Sequence, residues 1–438
     1  MSEGKLTIRD SRTSRDYEIP IHRNVIDAAK FKAIRAPAEG TDLADQVKDG
    51  IRLYDPGLRN TATVESKLTF SDSSGMLQPR GIPVEELFHN DYEDVFHLIV
   101  WGHLPTPEEK ERLRSDFIAA LQNVPPSVPN VIQAFPRSTA PMLMIIAGLS
   151  AYLGSVPKGI PTTMGGNIYH GNMRLVDKAV IRAASAYAIC VALTACHRTN
   201  RAFTPADPQG SFLENLLLMM GNVDPRTGKP DPIHVRALHH TWALGFDAGP
   251  TNSTFALLLS SSTLTDPISG LIAALSSGYG PLHFGATEVA YKNMRDVGRV
   301  ENVPAMIERV KRGEAKLFGY GHRTYRTEDP RIKGTKKILQ ALKAQTPVLD
   351  IATEIVRAAG EDEYFVKRGL HANADLYGVF IYIALEYEPE MVPVMMMGMR
   401  TSGLMAHWRE AMSKPNAILS PTLFYTGPVT GTGPVSKI

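Results

Sequence analysis

The sequence predicts a mainly α-helical protein with a small β-rich segment at its N-terminus, and three observations lead to this prediction. Apolar and polar residues alternate over the first 21 residues, which is the period of a β-strand. From about Pro83 onward, apolar residues recur every three or four positions, which is the period of an α-helix. Residues 175–198 and 252–278 are long and apolar, as helices in a protein core are.

The N-terminal alternation predicts a β-hairpin. Leu6 and Ile8 alternate with polar residues, DSRTS supplies turn-forming residues, and the alternation resumes at Tyr17. A second strand pair is predicted at residues 67–70 and 76–80, with SDSSG between them. The β-structure is therefore expected only in the N-terminal part of the chain.

The helical pattern begins near Val84 and continues to the end of the chain. Residues 175–198 carry an apolar stripe at helical spacing, and their many alanines favour close contact between helices. The members of this stripe are Val176, Val180, Ala183, Tyr187 and Cys190. Residues 252–278 are apolar on almost all sides, which predicts one or two helices deep in the core.

Length and composition allow two or three domains and argue against several classes of partner. The chain has 438 residues, of which 43% are apolar and 21% are charged, as in ordinary soluble globular proteins. A formal net charge of +2 gives no support to nucleic-acid binding. Cys190 and Cys196 lie among alanines and apolar residues, which predicts buried reduced thiols rather than a disulfide or a metal site.

The sequence predicts neither secretion nor a membrane span. The N-terminal stretch MSEGKLTIRDSR lacks the apolar region of a secretory signal peptide. The longest apolar candidate, residues 141–154, is shorter than the roughly 20 residues that cross a bilayer. The chain ends in Ser436-Lys437-Ile438, which is similar to the peroxisomal signal S-K-L, although a chance match explains a tripeptide equally well. We expect a cytoplasmic or peroxisomal location.

Three short stretches combine glycine or proline with histidine and charged residues, as binding loops do. Residues 280–286 contain His283, and residues 319–323 contain His322 between glycine and arginine. Glycine allows the backbone to approach a ligand closely. The third stretch, residues 371–375, ends at Asp375 ahead of an apolar helix, where Asn373 or Asp375 could also serve as a helix cap.

Six stretches of the chain, in this order, resemble the citrate synthase family. They are LYDPGLRNTATVESKLTFSDSSGMLQPRGIPVEEL, HLIVWGHLPTPEE, GPLHFGATE, FGYGHRTYRTEDPR, NADLYG and MRTSGLMAHWRE. The resemblance extends from about residue 6 to residue 427. It implies an all-α, two-domain helical fold after a hairpin segment at residues 1–38. The large domain would comprise residues 39–283 with 388–438, and a small CoA-side domain residues 284–387.

The resemblance also implies the catalytic residues of a carbon–carbon condensation. Asp375 would take a proton from the α-carbon of an acyl-CoA as general base. His283 would donate a hydrogen bond to the thioester oxygen, and His322 would polarise the keto group of the acceptor. The chemistry is consistent with these residue types. A thioester α-proton is very weakly acidic, so a carboxylate base needs a hydrogen-bond donor that stabilises the charge developing on oxygen.

Further residues are implied to bind the two substrates. Arg331 and Arg400 would hold the carboxylates of a 2-oxo acid acceptor such as oxaloacetate, and Asn252 would lie at the same substrate site. The residues near CoA would be Gly319, Gly321, Arg323, Arg326 and Lys333. Lys333 fits a solvated helix face equally well. The resemblance implies no metal and no tightly bound cofactor, because acyl-CoA and CoA are substrate and product.

The sequence departs from the family where the acceptor would bind. The family has two histidines in a HADHE-type stretch, and their positions are here Gly245 and Ala248, although Asp247 is retained. His239 and His240 lie upstream, and we do not expect them to substitute.

Other departures lie further along the chain. The family places arginines before its C-terminal Tyr-Thr-Gly, and one reaches the acceptor from the partner subunit of a homodimer. Here that stretch begins with Leu419-Ser420 and has no arginine. Phe284 replaces a glycine beside the catalytic histidine. Five methionines in residues 391–399 could fill the core or form an adaptable apolar wall for a long acyl chain.

We therefore expect an acyltransferase that converts the acyl group into an alkyl group on transfer. It would condense an acyl-CoA, longer than acetyl-CoA, with oxaloacetate to give an alkylcitrate and CoA, as in fungal secondary metabolism. Ordinary citrate or 2-methylcitrate synthase is the first alternative. A catalytically degenerate CoA-binding paralogue is the second, because the acceptor residues have changed while His283, His322 and Asp375 are present.

Overall fold

The computed structural model describes residues 3–35, 50–321, 329–424 and 426. His322, Arg323, Arg326 and the C-terminal tripeptide lie outside the described residues. The chain forms two compact units, one of Met1–Glu65 with Ser420–Ile438 and one of Ser66–Leu419. The domain boundaries given above stay a prediction.

The first unit contains the predicted hairpin, extended by a short third strand. Strands β1 (Gly4–Asp10), β2 (Arg15–His22) and β3 (Val25–Ile26) form an antiparallel sheet in that order. Leu6 lies opposite Ile19, and of the two only Ile19 is fully buried. A 3-10 helix follows at Ala28–Ala33. The β-period of the sequence therefore predicted this element correctly.

The second unit contains the second strand pair and the helical body. Strands β4 (Thr69–Ser71) and β5 (Leu77–Pro79) pair antiparallel, as predicted. Helices of its first half are α1 (Tyr92–Trp101), α2 (Pro107–Gln122), α3 (Ser127–Gln133), α4 (Pro141–Gly154), α5 (Met173–Thr199), α6 (Phe212–Met219), α7 (Pro232–Gly245), α8 (Asn252–Ser261) and α9 (Pro267–Gly278). Those of its second half are α10 (Gly285–Val297), α11 (Val303–Lys311), α12 (Ile332–Leu342), α13 (Pro347–Glu361), α14 (Glu363–Val366), α15 (Ala374–Ala384) and α16 (Val392–Ser413). Short 3-10 helices lie at Val84–Leu87, Pro157–Gly159, Val300–Asn302 and Pro389–Met391.

Helix starts follow the local sequence. Asp91, Thr106 and Ser211 each close a capping box with the acidic residue three positions later, which satisfies two backbone N–H groups at the start of α1, α2 and α6. Between α8 and α9, Asp266 accepts from the backbone of Ile268 and precedes Pro267. Residues 252–278 are consequently two helices, as the sequence allowed.

Helix α5 is the central helix of the core and corrects one sequence expectation. Its predicted stripe is buried, and it packs against α16, α4 and α2. It is also long and apolar enough to cross a bilayer by length and composition, with 94% of its apolar window buried inside the protein. The longest apolar candidate is therefore this helix and not residues 141–154, because no Asp, Glu, Lys or Arg lies between Arg182 and Arg198.

The methionines of residues 391–399 fill the core. All five are at most 5% exposed. Three of them occupy space that glycines leave open on neighbouring helices: Met399 lies against Gly245, Met397 against Gly278 and Met396 against Gly378. Flexible thioether side chains suit such irregular gaps. Core filling, one of the two interpretations of the methionine run, therefore accounts for these contacts.

Candidate active site

His283 lies in the loop between α9 and α10. The loop folds back tightly at Gly285, where a Cβ atom would stand 2.2 Å from the carbonyl oxygen of Tyr279. Only glycine fits that space, so Gly285 fixes the path of the chain that carries His283. The imidazole stacks on the ring of Phe284, with 4.5 Å between the ring centroids.

The imidazole of His283 is held by a hydroxyl group from the start of α8. The Ser253 Oγ atom lies 2.9 Å from His283 Nε2. When the serine O–H donates, the ring carries its own hydrogen on Nδ1, which is then the donor toward a ligand. Burial first, and then the Arg400 cation, lower the pKa of His283 to about 4, while Asp375 raises it in part. The ring is therefore neutral at physiological pH.

Asp375 lies in the first turn of α15, and the loop of residues 319–321 runs beside that turn. Asn373 is the N-cap, because its side chain accepts from the backbone of Leu376. Of the two candidate caps in the sequence, Asn373 therefore caps α15 and Asp375 does not. The backbone N–H of Asn373 donates to the carbonyl oxygen of Gly319, and the backbone N–H of Gly321 donates to the carbonyl oxygen of His371. These bonds place the predicted CoA loop next to the predicted base.

Arg331 links the same region to a second carboxylate. The Nε and Nη2 atoms of Arg331 bond the two carboxylate oxygens of Asp329 at 2.9 and 2.6 Å. The Nη1 atom lies 3.8 Å from Asp375 Oδ1. Arg331 is 5% exposed, and a buried guanidinium paired in this way is held in one orientation.

Arg400 and Asp247 are buried charged groups that interact with each other, and Arg400 also acts on His283. The guanidinium of Arg400 lies 5.4 Å from the centroid of the Phe284 ring. Asp247 accepts from Thr69 at 2.5 Å and from the backbone of Gly249, and His407 Nε2 lies 3.3 Å away. Burial opposes its ionisation, but His407, Thr69 and Arg400 together lower the pKa of Asp247. It is therefore a carboxylate that the surrounding groups stabilise.

The positions of the two missing histidines are explained in part by packing. A Cβ atom on Gly245 would stand 2.2 Å from Met399 Sδ, so that thioether occupies the space of a side chain there. His239 and His240 have other partners. His239 Nδ1 accepts from the backbone of Tyr92 at 3.0 Å, and the His240 ring lies tilted against the Phe88 ring with 4.4 Å between the centroids. That neither histidine substitutes for the missing ones stays a prediction.

The remaining predicted binding residues are Asn252, Lys333, Gly319 and Gly321, and the first two are exposed. Asn252 is exposed at the start of α8, directly before Ser253, and accepts a hydrogen bond from Ser277. Lys333 is exposed on α12. Gly319 and Gly321 both have positive φ, which favours glycine. Ser420 is exposed.

Sequence reasoning missed several residues that hold the site. Ser253 and Asp329 contact the predicted site residues His283 and Arg331, and Thr69 and His407 contact the retained Asp247. Ser253 had a weak signal, since it is polar in an otherwise apolar stretch. Thr69 had none, because it lies 178 residues from Asp247 in the chain.

Within the described ranges, one group of side chains has the spacing of a cation site. The ligand atoms of His97, His103 and Glu109 lie within 4.8 Å of one another, at the junction of α1 and α2. Internal contacts account for the group. His97 Nδ1 lies 2.9 Å from the carbonyl oxygen of His103, and Glu109 accepts from Thr106 in the capping box.

Comparisons with known proteins agree with this architecture. Residues 57–422 match the family model for the citrate synthase C-terminal domain. An alkylcitrate synthase, phiJ, from a fungal species is 45% identical over 433 residues, covering 98% of this chain and 94% of that protein. The alkylcitrate synthase tstJ of Talaromyces stipitatus is 42% identical over 438 residues, covering 98% and 96%. The peroxisomal citrate synthase of Dictyostelium discoideum is 32% identical over 431 residues, covering 96% and 85%.

A solved structure shares the fold. The ternary complex of citrate synthase from Thermoplasma acidophilum with carboxymethyl coenzyme A and oxaloacetate superposes with a TM-score of 0.78. It covers 86% of this chain and 97% of that one at 24% identity. Enzymes of this family are condensing transferases that use CoA substrates without a tightly bound cofactor. The chain belongs to the citrate synthase family.

Proposed function

We propose that this enzyme condenses an acyl-CoA longer than acetyl-CoA with oxaloacetate, giving an alkylcitrate and free CoA. The observation that carries the proposal is the neutral imidazole of His283, held by Ser253 within electrostatic reach of Asp375 and Arg400. The similarity of the whole chain to two fungal alkylcitrate synthases, at 42% and 45% identity, supports the longer acyl group.

Each group has a defined task in the proposed reaction. Asp375 takes a proton from the acyl α-carbon while His283 Nδ1–H donates to the thioester oxygen. The enol carbon then attacks the keto carbon of oxaloacetate, whose oxygen accepts a proton. His322, which lies outside the described residues, is proposed for that step. Water finally hydrolyses the thioester, so that the carboxylic acid and CoA leave.

For removal of the α-proton, a neutral His283 is better suited than a cationic one. A cationic imidazole could give up its proton and would repel Arg400, whereas the neutral ring donates one hydrogen bond as charge develops on oxygen. Arg331 and Arg400 are proposed to hold the acceptor carboxylates. Because Arg331 also bonds Asp329, the acceptor would compete with or join that pair. Gly319, Gly321, Lys333, Arg323 and Arg326 are proposed for CoA and Asn252 for the acceptor.

Two alternatives use the same residues differently. Ordinary citrate or 2-methylcitrate synthase would need the acceptor contacts without the histidine that Met399 excludes from position 245. A degenerate CoA-binding paralogue would keep the loop of residues 319–321 and lose turnover. The contacts of His283 with Ser253 and of Asp375 with Arg331 favour a working enzyme over that paralogue.

One assay separates these possibilities. Purified protein is incubated with oxaloacetate and acyl-CoAs of increasing chain length, and free CoA is followed by thiol titration. We expect release to peak with a medium or long chain. Release that is fastest with acetyl-CoA or propionyl-CoA would support the first alternative. CoA binding without release from any acyl-CoA would support the second.

The base assignment has its own test. We expect Asp375→Asn to lower kcat by at least about 1,000-fold, because the amide cannot accept the α-proton. CoA affinity, measured by calorimetry, should change less than about threefold, since Asn373 and not Asp375 caps α15. Glu363→Gln on α14 is a matched control, because its carboxylate is exposed. An Asp375→Asn enzyme that kept most of its turnover would refute the assignment.

Assembly and location are also proposals. We propose a homodimer, for which large apolar side chains exposed on α4 and α8, Leu143 and Leu259, offer a surface. A single species of 48.0 kDa in sedimentation velocity would contradict it. A cytoplasmic or peroxisomal location is proposed from the peroxisomal relative. A fluorescent fusion that preserves the C-terminus tests the peroxisomal choice.

A further inference from the structure

We infer that the acyl chain of the substrate enters an open cavity lined by residues of α10, α11, α13 and α15 and of the segment 315–318, an inference that rests on the proposed function. The cavity has a volume of about 400 Å³. Apolar side chains form much of its wall: Ala290, Met294, Leu317, Phe318, Ile355 and Leu376. Polar and charged side chains line the rest of it: Asn293, Asp296, Asn302, Arg309 and Lys316. A volume of this size lies within the roughly 300–1,000 Å³ of small-molecule sites.

Each catalytic element continues directly into a wall of the cavity. Leu376 follows the proposed base Asp375 in the first turn of α15. Phe318 precedes Gly319, whose loop is bonded to the start of α15. Helix α10 starts two residues after His283 and contributes Ala290 and Met294. The cavity is therefore built on the same three segments as the site.

The position of the cavity along α10 sets the length of chain that it accepts. Ala290 lies five residues beyond Gly285, which corresponds to about 7.5 Å along the helix axis at about 1.5 Å per residue. An acetyl or propionyl group is too short to cover that distance from a thioester beside His283. A medium or long chain would place its terminal methylenes among Met294, Ile355 and Leu317.

Two residues of α10, Ala290 and Met294, limit the space inside the cavity. Ala290 and Met294 are 5% and 4% exposed, so they are buried in the wall and are not surface residues. A phenylalanine at position 290 would project into the space, and an alanine at position 294 would enlarge it. Met396, Met397 and Met399 are packed against glycines, whereas this cavity reaches Leu376, the residue that follows Asp375.

The decisive experiment compares the acyl-chain-length profiles of the wild type and three variants. Free CoA release is measured with C2 to C12 acyl-CoAs for the wild type, Ala290→Phe and Met294→Ala. We expect Ala290→Phe to lower kcat/KM for the longest accepted chains by at least tenfold while acetyl- and propionyl-CoA change less than twofold. Met294→Ala should shift the optimum toward longer chains. Ala358→Phe, on α13 but outside the cavity wall, is the matched control.

A binding measurement separates this inference from the proposed reaction. Inert S-alkyl-CoA thioethers of increasing length are titrated calorimetrically, and each methylene that is buried should tighten binding about fourfold. Ala290→Phe should abolish that gain for long chains only. An active wild type whose variants alter all chain lengths equally, or none, would overturn the cavity and leave the reaction standing. Absence of CoA release from every acyl-CoA would overturn both. Unchanged melting temperatures exclude misfolding, and Met294→Ala tests the same wall if Ala290→Phe fails to fold.

Discussion

At the scale of single residues, Met399 fills the space that a side chain at position 245 would need. Gly245 ends α7, and Met399 lies in α16 with 3% of its surface exposed. The thioether stands where a Cβ atom on residue 245 would be, at 2.2 Å from Sδ. A histidine could return to this position only if Met399 also changed.

This pair predicts a substitution whose sign depends on its background. Gly245→Ala alone should lower the free energy of unfolding by about 1–3 kcal/mol, because the methyl group overpacks a buried site. In a Met399→Ala background the same change should be neutral or stabilising, since alanine favours helix and now fills a gap. Urea unfolding of the four proteins measures both effects. Equal effects in the two backgrounds would show that the residues are not coupled.

At the scale of elements, the site depends on how the segment of residues 319–321 is joined to the start of α15. Backbone bonds run in both directions between residues 319–321 and residues 371–373, and Asn373 Nδ2 also donates to the carbonyl of Gly321. Tyr320 and Ala372 form an isolated antiparallel bridge. The first turn of α15, which carries Asp375, is thereby fixed relative to this segment.

Two neighbouring glycines provide a matched test of this junction. Both have φ near +80°, so alanine costs about 1–2 kcal/mol of strain at either position. At Gly319 the new Cβ would also meet the Cβ of Leu376, at 2.5 Å, whereas at Gly321 the nearest atom among the described residues is 3.4 Å away. We expect Gly319→Ala to lower the melting temperature more than Gly321→Ala does. We also expect it to lower kcat/KM at least tenfold more than Gly321→Ala does. Equal losses would mean that the contact with Leu376 does not position Asp375.

At the scale of the whole molecule, the partly buried histidines His239 and His283 make stability depend on pH. Burial is the first cause that lowers the pKa of both His239 and His283 to about 4, below the ordinary value of 6.5. Between pH 6.5 and 4 the unfolded chain therefore binds more protons than the folded one. The stability that these neutral histidines provide is complete above pH 6.5 and is lost as pH falls toward 4.

A variant isolates the contribution of one histidine. His239→Gln keeps an acceptor for the backbone of Tyr92 but cannot be protonated. The wild type should lose up to about 1.4 kcal/mol more than this variant for each pH unit between 6 and 5, which is the limit for one proton. Urea unfolding at pH 7, 6 and 5 measures the difference. Parallel curves for the two proteins would contradict the lowered pKa of His239.

Much of this molecule could be predicted because its signals are local. The alternation around Leu6 set the hairpin, and helical periods set α5 and the pair α8 and α9. The order of the loops around His283, His322 and Asp375 identified the citrate synthase family, which the comparisons confirm. Each of these features depends on residues that are close in the chain, where period, caps and motifs act.

Only the tertiary structure decided how distant residues meet. Ser253 orients His283 across 30 residues, Thr69 bonds Asp247 across 178, and Asn373 rather than Asp375 caps α15. The methionines of α16 pack in the core, and the acyl chain is proposed to bind instead in a cavity that Leu376 lines. The reason is physical: packing volume and hydrogen-bond partners depend on the folded arrangement of helices, which no local period encodes. The sequence by itself determined which groups this enzyme has, and the fold decided which of them touch.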